Sequence, residues 1–190
     1  MRLPLPRENY WSLTVACNPS QPEEEIVQIV DRENRRIDTL PRHQMRARRL
    51  IHQACYILVF NTRGEIFLQK RTMDKDVYPG CWDVAAGGVV LAGESYEEAA
   101  DRELLEELGI STVDLQYQFD NYFEDRDNRV WGRIFTCTHD GPFTLQAEEI
   151  ESGHFIGVDE CLALNRTEPF TPDGIAILEK VRKSRVVSER

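Results

Sequence analysis

The stretch Gly88 to Ile110, GVVLAGESYEEAADRELLEELGI, constrains the fold of this chain more than any other. Ser95 and Glu98 stand in the S-x-x-E spacing of a capping box, where hydroxyl and carboxylate each satisfy a backbone N–H that a helix start leaves free. Gly109 supplies the left-handed conformation that ends a helix, so the spacing predicts one over 95–108. At about 100° per residue, Leu104, Leu105 and Leu108 form an apolar stripe, and Glu103, Glu106 and Glu107 occupy the face beside it. Three glutamates at i, i+3 and i+4 repel one another by about a few tenths of a kcal/mol per pair, and Arg102 offsets only part of that. A hard divalent cation, which takes carboxylate, carbonyl and water oxygens, suits such a cluster; a solvated acidic face is the plainer alternative.

Charge elsewhere narrows the options. The 190 residues carry 23 Lys and Arg against 33 Asp and Glu, a formal net charge of −10 that repels a nucleic-acid duplex. The five cysteines, Cys17, Cys55, Cys81, Cys137 and Cys161, include no C-x-x-C pair, and their odd number speaks against a disulfide framework. No apolar run approaches the ~18 residues of a membrane span, and the N-terminus has no signal-peptide pattern. A cytoplasmic protein without a membrane partner is expected.

Residues 1–23 mix prolines with polar residues and read as a flexible leader, whose Trp11 could pack on a neighbouring subunit in a homodimer; residues 24–186 form the domain and 187–190 a tail. Strands are predicted at Ile26–Val30 with a return at Arg36–Thr39, at Gln53–Phe60 and Glu65–Arg71 as a hairpin, at Leu115–Glu124 and Arg129–Thr138, and at Gly153–Val158. Further helices are predicted at Val158–Asn165 and at Pro172–Val186, the latter with Thr171 as N-cap. The arginine-rich stretch 35–49 reads either as a solvated face or as a rim that attracts an anionic substrate. Together these elements describe an α+β fold with a mixed sheet flanked by helices.

The spacing Gly88, Glu94, Arg102-Glu103, Leu104, Glu106-Glu107, Gly109 and Ile110 fills every position of G-x5-E-x7-R-E-U-x-E-E-x-G-U, so the chain resembles the Nudix hydrolase family. The resemblance implies an α/β/α sandwich with a mixed β-sheet and hydrolysis of a diphosphate linkage in a nucleoside diphosphate derivative or similar small diphosphate. It further implies Mg2+, or Mn2+, held by Glu103, Glu106, Glu107 and the Gly88 carbonyl. Arg102 would hold Glu103 in place, and Glu94 and Gly109 would serve the motif structurally. The general base would be Glu103 or a later acid, for which Glu149, with Glu148 and Glu151 beside it, is a candidate; a solvated loop acid is the alternative.

Upstream, His52-Gln53-Ala54, Gln69-Lys70-Arg71, Lys75, Pro79-Gly80 and Trp82 resemble type I isopentenyl-diphosphate isomerase more loosely. That resemblance implies diphosphate contacts by Arg71 and Lys75, against the alternative of plain surface cations. The isomerase chemistry departs at three positions: Gly87 stands for its active cysteine, Val89 for a metal histidine and Arg129 for its catalytic glutamate. His52 alone remains of its metal histidines, with Met45 at another. Isomerase action and a non-catalytic binding module on the same fold are therefore the alternatives to hydrolysis. Tyr78, Trp82, Tyr122, Phe123 and Trp131 fall near strand ends, where they serve either the core or a substrate pocket.

Overall fold

The computed structural model describes residues 25–188, with side chains through Ser184. The expected leader, Trp11 included, and residues 189–190 lie outside the described residues. Helix α2, Tyr96–Leu108, forms where its caps dictate. The Ser95 hydroxyl accepts the Glu98 N–H at 3.1 Å, and the Glu98 carboxylate accepts the Ser95 N–H at 2.8 Å. Gly109, at φ +67°, closes the other end, with its N–H on the Leu105 carbonyl and that of Ile110 on Leu104. Ser95→Ala is expected to cost about 1 kcal/mol in urea-induced unfolding with little effect on any activity, because the cap lies at the end of the helix away from Glu107.

One eight-stranded mixed sheet organises the chain. Strands β1 (Ile26–Val30) and β2 (Arg36–Pro41) make the expected hairpin. Strand β3 (His52–Phe60) pairs in parallel with β7 (Arg129–Thr138) along its whole length, and β7 pairs antiparallel with β6 (Gln116–Glu124). The other edge of β3 is shared. It meets β1 at His52, the 86–89 segment at Ala54 and Ile57, and β4 (Ile66–Arg71) only at Phe60. The β3–β4 hairpin expected from sequence is therefore splayed: the edge that β4 would occupy is filled by the chain entering the motif loop. Strand β4 instead pairs with β8 (Ile150–Ile156) and with the two-residue β5 (Trp82–Asp83).

Alternation along β3 builds the two cores. Cys55, Ile57 and Val59 face Ala99, Ala100, Leu104 and Leu108 of α2, whereas Leu58 and Phe60 face Cys161, Ile177 and Leu178. The latter come from α3 (Val158–Leu164) and α4 (Pro172–Ser188), so helices cover both faces. Leu105, assigned to the apolar stripe, is 55 % exposed, since of the three leucines Leu104 and Leu108 point into this core. Helix α4 runs past the predicted end at residue 186. Thr171 precedes it, and its hydroxyl donates to Asp83 at 3.0 Å. A six-residue helix, α1 (Arg42–Ala47), was not anticipated from the sequence. It buries Met45 against Val27, Ile29 and Val89, and this turns Arg42 and Arg46 toward one side.

Candidate active site

A cleft of about 650 Å³ opens between α2, α1, the loop that follows β4 and the start of α4. Glu103, Glu106 and Glu107 lie on one wall. Gly88 permits this: a Cβ there would stand 2.4 Å from the Glu103 carboxylate, so only a glycine lets that group lie against the backbone. The Gly88 carbonyl accepts the Cys55 N–H at 2.9 Å and, more weakly, the Cys55 thiol at 3.7 Å. Glu107 is fully enclosed and receives the Gly87 N–H at 3.2 Å. Burial, with the neighbouring Glu103 carboxylate adding to it, pushes its acid up to about 8; burial likewise raises Glu103.

Arg102 organises the acids behind this wall. Its Nε and Nη2 donate to the two oxygens of Glu94 at 2.8 and 3.1 Å, Nη1 donates to Glu103 at 2.7 Å and to Glu106 at 3.2 Å, and Nη2 also donates to the Val89 carbonyl at 3.1 Å. Glu94 in turn accepts the Leu91 N–H at 2.9 Å and so ties the motif loop to the helix. Glu106 is half-exposed and faces Arg102. Among the described residues, no three acids, thiols or imidazoles are gathered into a ready metal cage. The donor set nonetheless fits a hard cation: two neighbouring carboxylates, one of them buried and raised by the other, stand beside the Gly88 backbone. Glu106 gives one oxygen to Arg102.

Across the cleft, the 72–81 loop is pinned by side chains. Arg71 spends its donors on the Val77 carbonyl at 2.8 Å, the Tyr78 carbonyl at 3.3 Å and buried Asp83 at 3.4 Å. It borders the cleft and anchors this loop. Lys75 forms an ion pair with Glu149, so the second expected diphosphate contact and the candidate base hold each other. The loop bearing Glu149 is fixed at both ends: Gln146 N–H donates to the Glu107 carbonyl at 3.0 Å, and Thr72 N–H donates to the Glu149 carbonyl at 3.1 Å. Glu148 borders the cleft, and its carbonyl accepts the Thr72 hydroxyl at 2.9 Å. Glu151 lies outside the cleft lining and is exposed.

His52 is buried on the cleft floor, and burial beside Arg46 lowers it to about 3, so its imidazole is neutral and sits against the Leu50 carbonyl. Of the five aromatics singled out from sequence, only Tyr78 lines the cleft. Tyr122 and Trp131 stack on each other, and Trp82 packs edge-on against His154. Sequence reasoning missed Tyr56, whose hydroxyl donates to Asp173 at 2.8 Å, and the neighbouring Asp83. Desolvation raises both aspartates, Asp173 to about 6. Burial raises the Cys81 thiol above the ordinary range.

These features have counterparts in known proteins. Residues 50–176 match the NUDIX domain. The chain is 44% identical over 154 residues to an uncharacterized Nudix hydrolase of Pseudomonas aeruginosa, covering 81% of this chain and 91% of that one. It is 45% identical over 154 residues to the uncharacterized Nudix hydrolase YfcD of Escherichia coli, covering 81% and 84%. The fold superposes with a TM-score of 0.72 on the crystal structure of DR0079 from Deinococcus radiodurans, at 21% identity, over 82% of this chain and 98% of that one. The buried carboxylates beside Gly88, the arginine behind them and two-thirds of the chain's length thus lead to one assignment: this protein belongs to the Nudix hydrolase family.

Proposed function

We propose that the cleft hydrolyses the diphosphate linkage of a nucleoside diphosphate derivative or similar small diphosphate, with a divalent ion, Mg2+ or Mn2+, held by Glu103, Glu107 and the Gly88 carbonyl and joined by Glu106. The observation that carries this reading is the enclosed Glu107 carboxylate beside Glu103, a charge arrangement that is costly until a cation shares it. Such an ion supplies charge neutralisation at the phosphorus centre and activates water. Arg102 keeps Glu103 aimed at the cleft. In this reading Glu149, ion-paired with Lys75, accepts the proton of an attacking water. The chain's own groups thus position the diphosphate and handle the proton.

Geometry at position 87 favours hydrolysis over isomerisation. Gly87 has φ +143°, and a Cβ there would stand 2.1 Å from the Cys55 carbonyl oxygen, so the thiol used by the isomerase has no room. A panel of nucleoside diphosphate sugars, dinucleotides, nucleoside triphosphates and prenyl diphosphates, assayed with Mg2+ and Mn2+, tests the proposal. Cleavage of at least one member to a monophosphate product, abolished by chelation, is the expected result. Binding without cleavage, or deuterium uptake into an allylic diphosphate, would contradict it. In the same assay Glu149→Gln is expected to lower kcat about 100-fold with KM little changed; an unaltered kcat removes Glu149 from the reaction.

A further inference from the structure

The unanticipated helix α1 contributes two arginines to the cleft mouth. Arg42 and Arg46 stand one turn apart, and their side chains are only 18% and 22% exposed. A single carboxylate oxygen, Oδ2 of Asp76, serves both: Arg46 Nε donates to it at 3.1 Å and Arg42 Nη2 at a long 3.5 Å. Among the described residues, the remaining contacts are Arg42 Nη1 to Glu25 at 2.9 Å and Arg46 Nη1 to Asn128 at 3.0 Å. Asp76 is the more exposed member, at 42%, and sits in the loop that also carries Lys75. Two forked cations sharing one oxygen are under-supplied with acceptors, whereas a phosphoryl group offers three.

From this we infer that Arg42 and Arg46, rather than Arg71, grip the phosphates of the substrate, and that Asp76 is an internal counter-ion which the substrate displaces. The assignment rests on the diphosphate reading above and deepens it. Arg71 already holds the Val77 and Tyr78 carbonyls and buried Asp83, so turning its fork fully onto a phosphate would loosen the loop it anchors. Arg42 and Arg46 give up only a shared, half-exposed partner. Their fields also reach the neighbourhood in question: Arg42 acts on Lys75, and both arginines help keep His52 neutral and Asp76 ionised. A diphosphate lodged there lies between the α1 cations and the α2 carboxylates, the first attracting an anion and the second a cation, as a metal-linked anhydride requires.

Isothermal titration with methylenediphosphonate, whose P–C–P bridge resists hydrolysis, tests the inference with and without Mg2+. Arg42→Gln and Arg46→Gln are each expected to weaken binding about tenfold, and Arg46→Lys to fall between them and wild type. Asp76→Asn is expected to tighten binding roughly three- to tenfold, a gain that a merely structural aspartate would not give. Arg63→Gln, a charge change at an exposed turn, should leave affinity within about twofold. Thermal melts confirm that each variant is folded. Wild-type affinity in both glutamine variants, or no gain in Asp76→Asn, overturns the inference even if hydrolysis proceeds normally. The expected order of affinities with no turnover on any substrate would instead sustain the phosphate grip and defeat the hydrolase reading.

Discussion

Glu107→Gln is expected to lower turnover by about 100-fold or more while making the metal-free protein more stable. The amide oxygen can still accept the Gly87 N–H, so the loop keeps its bond, but the buried charge beside Glu103 disappears. The sign follows from linkage. In the folded chain this acid holds its proton up to about 8, whereas in the unfolded chain it ionises near its ordinary 4.5. The folded state therefore binds more protons between these values, and the stabilisation, complete below about 4.5, is lost as pH rises toward 8. Urea unfolding in chelator at pH 5 and pH 9 should show wild type weakening with pH and the variant weakening less. The variant should lead by about 1–2 kcal/mol at pH 9. Equal pH slopes, or wild-type turnover, would count against a buried metal-site carboxylate.

Arg102→Ala carries the largest expected loss of stability, about 3–5 kcal/mol, because it strands two mostly buried carboxylates. Glu94 and Glu103 side chains are 19% and 12% exposed, and the arginine is their shared cation. The melting temperature should fall on the order of 10 °C. Adding Glu94→Gln should restore part of this, since the second change removes one of the stranded charges. Activity should fall too, through Glu103, which loses the bond that aims it. A loss below about 1 kcal/mol would mean that water screens the pair as it screens surface ion pairs.

Helix α2 was legible because every signal that bounds it is local. The capping box spans four residues, and the left-handed glycine ends the helix whatever packs on it. Strands β3, β6 and β7 were legible from their β-rich composition. Helix α1 was not: Pro41 precedes it without a side-chain cap, and Met45 is its only buried residue, so nothing in the arginine-rich stretch announces it. The splayed β3–β4 hairpin was hidden for another reason. Sequence shows that two strands adjoin a turn, but not that the 86–89 segment claims the same edge.

Within the site, the acids of α2 and their arginine could be read because they share one helix and one loop. The partners of Arg71 could not, since Asp83 is buried only after β5 pairs with β4. The same holds for Tyr56 and Asp173, which lie 117 residues apart in sequence and meet only when α4 closes the cleft floor. No described helix is long and apolar enough to cross a bilayer.

Anomalous diffraction from crystals soaked in Mn2+ addresses the central claim most directly. An ion between Glu103 and Glu107, against the Gly88 carbonyl and with Glu106 turned away from Arg102, is the expected result. A fully ordered Arg102–Glu106 pair with no ion at those carboxylates under saturating Mn2+ would contradict it.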